Sequence, residues 1–201
     1  MALMMTAGAR AGLAALGVMV AVCAGCSAEE TQQTASAPPS TTTVARLDCL
    51  VQPPGPSSID GVLADIPGFT VKEICPVEVD PIFGGPDINA QFYAVAAGDI
   101  SQNDTTVLRV LAAQLKSGSG DAFVENFMSG LSARTPAGAV ASEPQELGGH
   151  QVKYFNAPVQ YSGYTYVNGP TVVISAIPIG ADPGLGEDAM TKILANVKPP
   201  A

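Results

Sequence analysis

Residues Thr105–Leu131 read TTVLRVLAAQLKSGSGDAFVENFMSGL, and the fold class turns on how the first eleven are taken. The β-branched Thr105, Thr106 and Val107 favour a strand, while Leu108, Leu111, Ala112 and Leu115 also fall at helical spacing. Strand is the reading adopted. Lys116-Ser117-Gly118-Ser119-Gly120 then interrupts the chain. Asp121 caps a helix in which Phe123, Val124, Phe127, Met128 and Leu131 share one face.

Working outward, Phe92–Ala97 is a strand and Gly98–Asp104 carries turn chemistry. Downstream, Ala139–Leu147 and Gln151–Asn156 are strands joined through Gly148-Gly149. Tyr161–Val167 and Pro170–Ile177 are joined through Asn168-Gly169, and Asn-Gly between strand-like runs is a strong hairpin signal. Pro183 and Gly184 open a last helix with Leu185, Ala189, Ile193 and Leu194 on one face, ended before Pro199. Strand, strand, helix, four strands, helix is the order of an α+β domain, an antiparallel sheet with two or three helices packed on it.

Upstream of Phe92 the chain is irregular and punctuated by prolines from Pro53 to Pro86. Asp48–Val51 and Thr70–Cys75 read as short strands, and Ile59–Ile66 as a helix ended before Pro67. The chain has 201 residues, enough for one domain with a real core. Its formal charge is −9, and Arg10 is the only basic residue ahead of Cys26. Such a surface is repelled by nucleic acid and by anionic headgroups, so nucleic acid is not an expected partner.

At the N-terminus, Arg10 precedes the uncharged run AGLAALGVMVAV, Ala11–Val22, and then Cys23-Ala24-Gly25-Cys26. A cation, a short apolar run and small residues at the cut make a signal peptide over residues 1–25. The run is about a dozen residues, short of the roughly 20 that span a bilayer as a helix. Ala24-Gly25-Cys26 resembles the lipobox of bacterial lipoproteins, with Cys23 standing where an aliphatic residue is usual. The resemblance implies that diacylglycerol is joined to Cys26 by a thioether, that the chain is cut before it, and that it is held on the outer face of the cytoplasmic membrane. The competing reading is plain secretion with Cys26 free.

Residues Ser27–Ala45, SAEETQQTASAPPSTTTVA, are almost without large apolar side chains. They read as a disordered tether, the Cys26-to-Arg46 segment, because they bury too little to offset their ordering entropy. Their flexible reach is about 25 Å. With Cys23 lost in the leader and Cys26 lipidated, Cys49 and Cys75 are the thiols left to the domain over residues 47–201. An exported, oxidising compartment predicts a Cys49–Cys75 disulfide.

No catalytic set emerges. His150 is the only histidine; it sits in Gly148-Gly149-His150-Gln151, a strand-to-strand turn, with no GxSxG elbow beside it. The domain over residues 47–201 has neither CxxC nor HxxxH spacing, so no metal or other cofactor is expected. Asp99 with Asp104, and Glu187 with Asp188, are carboxylate pairs better suited to solvation and capping. Gly118-x-Gly120 lacks both the P-loop lysine and the Rossmann spacing. The feature that marks a surface for a ligand or partner is the tyrosine group: Tyr164 and Tyr166 on one face of a strand, with Tyr154 opposite, cross-strand packing being the competing role.

The second half, from the amphipathic helix through GGHQVKYF, the hairpin ending VVISA and the closing helix with ILANV, resembles small actinobacterial lipoproteins with PsbP-like sheets. That resemblance spans Phe92–Val197 and implies a binding or assembly module. The sequence-based expectation is thus a membrane-anchored, non-enzymatic binding or assembly module of the cell envelope. Its partner would be an envelope protein or apolar ligand. The alternative is a carrier of a lipid or other apolar ligand.

Overall fold

A computed structural model describes residues 48–84, 88–135, 140–158 and 160–199. The leader, Cys26 and the tether expected over residues 1–46 lie outside the described residues. The elements in chain order are β1 (Thr70–Glu73), two 3₁₀ turns (Pro76–Glu78 and Pro81–Gly84), α1 (Ile88–Gln91), β2 (Phe92–Gln102), β3 (Thr105–Leu115), α2 (Gly120–Arg134), β4 (Ala141–Leu147), β5 (His150–Ala157), β6 (Tyr161–Asn168), β7 (Thr171–Pro178) and α3 (Pro183–Ala195). The seven strands form one sheet in the order β1-β2-β3-β7-β6-β5-β4. Every neighbouring pair is antiparallel, so the chain is an α+β domain.

The sheet is covered on both faces. Leu108, Val110 and Ala112 of β3 pack with Ala189, Met190, Ile193 and Leu194 of α3. The intervening Leu111, Ala113 and Leu115 pack with Val124, Phe127 and Leu131 of α2. Successive strand side chains alternate faces, so the two helices lie on opposite sides of the sheet. This explains why β3 lacks polar alternation from Val110 to Ala113: a central strand covered on both faces buries successive residues. Each fully buried Leu, Ile or Phe there contributes about 1.5–3 kcal/mol by burial.

Local chemistry sets the ends. Ser119, rather than Asp121, caps α2: its side chain accepts from Asp121 N at 3.2 Å, and Asp121 falls within the first turn. Asp182 caps α3 by accepting from Gly184 N, with Pro183 opening the helix. Pro144 lies within β4, an edge strand of mostly exposed residues. Two residues, Gly148 and Gly149, join β4 to β5, so the flanking Leu147 and His150 form a hydrogen-bonded pair. Counting back, Pro144 is a non-bonded position whose missing N–H would face outward, and the edge is thereby blunted against pairing.

Four sequence expectations are corrected. The strand expected over Phe92–Ala97 continues to Gln102, and the turn shrinks from Gly98–Asp104 to Asn103-Asp104, with φ of 49° and 61°. Gly98 serves close packing rather than a turn, since a Cβ there would meet Leu63 Cδ1 at 3.1 Å. Ile59–Ile66 is a series of turns and not a helix, because Gly61 and Asp65 take positive φ (74° and 49°). Asp48–Val51 forms no strand, although Val51 O accepts from Val95 N at 2.9 Å. The β6–β7 turn is shifted by one residue: Asn168 still pairs with Thr171, so Gly169 and Pro170 form the loop. Gly169 at φ 59° followed by proline matches a type II′ turn.

Candidate functional site

At one end of the sheet, the segment after β1 folds into two successive 3₁₀ turns with Asp80 between them. Cys75, at the start of this segment, forms the expected disulfide with Cys49. Its backbone N–H donates to Glu78 Oε1 at 3.0 Å, which closes the first turn. Asp80 is 2% exposed. Its Oδ1 accepts from Ile82 N and Arg134 Nη1, both at 2.9 Å; its Oδ2 accepts from Arg134 Nη2 at 2.9 Å and from the Tyr161 hydroxyl at 2.8 Å. The planar guanidinium meets the carboxylate with two parallel bonds, the geometry that supports a buried charge pair. The Asp80 bond holds the Arg134 guanidinium further above its usual range. Burial first, and the Asp80 bond second, push the Tyr161 phenol well above its ordinary value.

A second ion pair lies alongside. Arg109 of β3 stands opposite Asp99 of β2 in register. Its Nε is 3.0 Å from Asp99 Oδ1, and its Nη1 donates to the carbonyl of Glu78 at 3.0 Å. Gln160 completes the floor by donating from Nε2 to the Arg134 carbonyl at 3.0 Å.

Of these groups, Arg109, Gln160 and Tyr161 line a solvent-open cleft of about 370 Å³ whose walls also include Glu78, Val79, Pro178 and Ile179. Its lining residue Ile179 is 72% exposed, and Val77, which precedes the lining residue Glu78 in sequence, is 44% exposed. Other open clefts lie beneath the 51–64 segment, at about 390 Å³, and beside α2 near Lys153, at about 260 Å³.

The tyrosines expected to mark a surface behave differently. Tyr154 faces Tyr164 directly across β5 and β6, with ring centroids 5.4 Å apart. Tyr164 and Tyr166 are only 3% and 7% exposed and belong to the core on the α3 side. The expected surface is therefore corrected to Tyr154 alone, because α3 and the β4–β5 hairpin leave the other two rings no access. Burial, then Glu187 and Tyr154, push the Tyr164 phenol up to about 12. His150 is half-buried at the start of β5 and sets its ring edge-on to Tyr166, 5.4 Å between centroids.

The remaining sequence features have structural roles. Asp99 pairs with Arg109, and Asp188 with Lys192 at 2.7 Å. Gly120 opens α2 where a Cβ would meet the Gly169 carbonyl at 2.7 Å. Among the described residues, no group of three His, Cys, Asp or Glu could hold a metal ion.

The Asp80, Arg134 and Tyr161 cluster was invisible to sequence reading. Its members are 54 and 81 residues apart and follow no motif. The nearest hint was the pair of acids Glu78 and Asp80 in the segment bracketed by Pro76 and Pro81. No family model, curated protein or solved structure matches the chain.

Proposed function

We propose that this chain is an exported, lipid-anchored and non-enzymatic binding module of the cell envelope, joined to the outer face of the cytoplasmic membrane through Cys26. The observation that carries the binding reading is the open cleft at the Asp80 end. Its lining brings the exposed Ile179 together with the polar Glu78, Arg109, Gln160 and Tyr161, and exposed apolar side chains bordered by polar groups are how interaction sites present themselves. Asp80, Arg134 and Tyr161, and Asp99 with Arg109, are held against one another there.

The anchor rests on Arg10, the Ala11–Val22 run and Ala24-Gly25-Cys26. Among the described residues, no helix is long and apolar enough to cross a membrane. The resemblance of Phe92–Val197 to small actinobacterial lipoproteins with PsbP-like sheets enters as an analogy of fold, which carries no activity with it.

The carrier reading has less support, since both sheet faces are packed by large side chains and the clefts described above open to solvent. Native mass spectrometry of the membrane-extracted protein separates the two. A binding module is expected to appear without lipid beyond the acyl groups on Cys26. A stoichiometric, non-covalent lipid would replace this reading with the carrier. In the same preparation, Cys26→Ser should release the protein into the soluble fraction, and retention at the membrane would overturn the anchor.

A further inference from the structure

We infer that the cleft lined by Glu78, Tyr161 and Ile179 is a docking surface for a basic protein segment that inserts a large apolar side chain. The inference rests on the binding-module reading for the existence of an external partner, but not on the lipid anchor.

The first support is the placement of exposed hydrophobic side chains. Among the described residues, Val77, Ile82 and Ile179 are the large hydrophobics left exposed. Ile179 lines the cleft, and Val77 precedes the lining residue Glu78 in sequence. Ile179 is the second residue of a turn in which Ala181 N donates to Pro178 O at 3.0 Å and Gly180 takes φ 85°. That turn needs glycine at its third position and accepts almost any residue at its second. The fold therefore gains nothing from isoleucine there.

The second support is rigidity. The Pro76–Glu78 turn is fixed by the Cys49–Cys75 disulfide, by Arg109 on the Glu78 carbonyl and by the Asp80 cluster behind it. A partner meeting an already ordered surface loses less to ordering on binding.

The third is charge. Both arginines at this end already face carboxylates, Arg134 on Asp80 and Arg109 on Asp99. Glu78, in the cleft wall, accepts from the Cys75 backbone N–H. Asp182, three positions after Ile179, accepts from Gly184 N–H. With Arg134–Asp80 and Arg109–Asp99 as neutral pairs, Glu78 leaves the named groups at this end of the sheet net negative. With a formal chain charge of −9, the same field repels a second copy and an anionic leaflet. A cationic protein segment is the occupant that this charge distribution favours.

The chain contains no Trp, so a Trp-bearing peptide reports binding without background. The probe is a peptide with a central Trp-Leu pair flanked by lysines, titrated into the full chain in detergent, with the glutamate-flanked peptide and detergent alone as controls. Saturable blue-shifted fluorescence is expected for the lysine peptide only, weakening several-fold between about 50 and about 500 mM NaCl. Ile179→Asp should weaken it by about tenfold or more, and Glu78→Gln by a smaller, salt-sensitive factor. Lys153→Ala, beside α2, should bind as the parent does. Circular dichroism of each variant keeps misfolding separate from lost contact. The inference is overturned by equal binding of the glutamate peptide, by unchanged affinity of a folded Ile179→Asp variant, or by no saturable binding at about 1 mM, the weak limit for a specific site. It is likewise overturned if Ile179→Asp instead abolishes self-association in sedimentation, or binding to phosphatidylcholine vesicles. Failure here with a lipid-free native mass spectrum would leave the binding module intact and remove only this surface.

Discussion

The Tyr161 hydroxyl donates to Asp80 Oδ2 at 2.8 Å across 81 residues of sequence, and Arg134 grips the same carboxylate from α2. One buried acid thus joins the 3₁₀ segment, the end of α2 and the start of β6. Tyr161→Phe removes a hydrogen bond to a charged group and should cost about 1.5–3 kcal/mol. Arg134→Met leaves Asp80 buried without its counter-ion and should cost more, about 3–5 kcal/mol. Urea denaturation of both variants gives the order, and an Arg134→Met variant as stable as Tyr161→Phe would contradict the bidentate pair.

Alkaline pH should destabilise the domain through two phenols raised by burial, Tyr161 and Tyr164. A tyrosine whose pKa is raised on folding keeps its proton where the unfolded chain has released it. Its contribution is therefore complete below the ordinary value of 10.0 and is lost as pH rises through the folded value. For Tyr164 that window runs from 10.0 to about 12. Tyr161 loses its contribution at higher pH still, its phenol being raised further by burial and by Asp80. Melting temperature followed across this range should fall with pH, and Tyr164→Phe should make the fall shallower.

The Cys49–Cys75 bridge spans a sequence separation of 26 and joins the start of the described chain to the segment that carries Val77. Its loss should cost about 3 kcal/mol in the chain-entropy model. Cys49→Ser, Cys75→Ser and the double variant should be alike in urea, since each removes the same closure. A dithiol should lower the midpoint of the parent protein and leave the variants unchanged.

What could be read ahead of the structure was whatever depends on neighbours in sequence. Thr105–Leu115 is a strand and Gly120–Arg134 a helix because β-branching and a one-sided apolar stripe act within a few residues, although the cap is Ser119 and not the expected Asp121. The Cys49–Cys75 pair was legible by elimination. Gly98 misled because a glycine that permits a close approach and one that forms a turn look the same in sequence, and Leu63 decides between them from a distant segment. Tyr164 and Tyr166 misled for a related reason. Alternation placed them on one face correctly, but only the position of α3 shows that this face is interior. The cleft was not legible at all, since Ile179, Arg109 and Tyr161 meet only when β3, β6 and β7 are side by side.

Gly163 offers the sharpest test of the β6–β7 pairing. The ladder runs from Tyr161–Pro178 to Ser162–Ile177 and resumes at Thr165–Ile174, so Gly163 and Tyr164 face Ser175 and Ala176 without regular register. Ser175 bridges the gap with its side chain, accepting from Tyr164 N at 3.0 Å and donating to Tyr164 O at 3.3 Å. The strands approach so closely here that a Cβ on Gly163 would overlap the Ser175 carbonyl, which is backbone and cannot swing aside. Gly163→Ala should therefore cost about 3 kcal/mol or more, at the upper end for overpacking. Ser175→Ala keeps the approach and loses only the bridge, leaving the buried Tyr164 N–H unsatisfied at about 1–3 kcal/mol. Chemical denaturation should rank Gly163→Ala below Ser175→Ala, and the reverse order would mean that the side-chain bridge, not the close approach, holds β6 to β7.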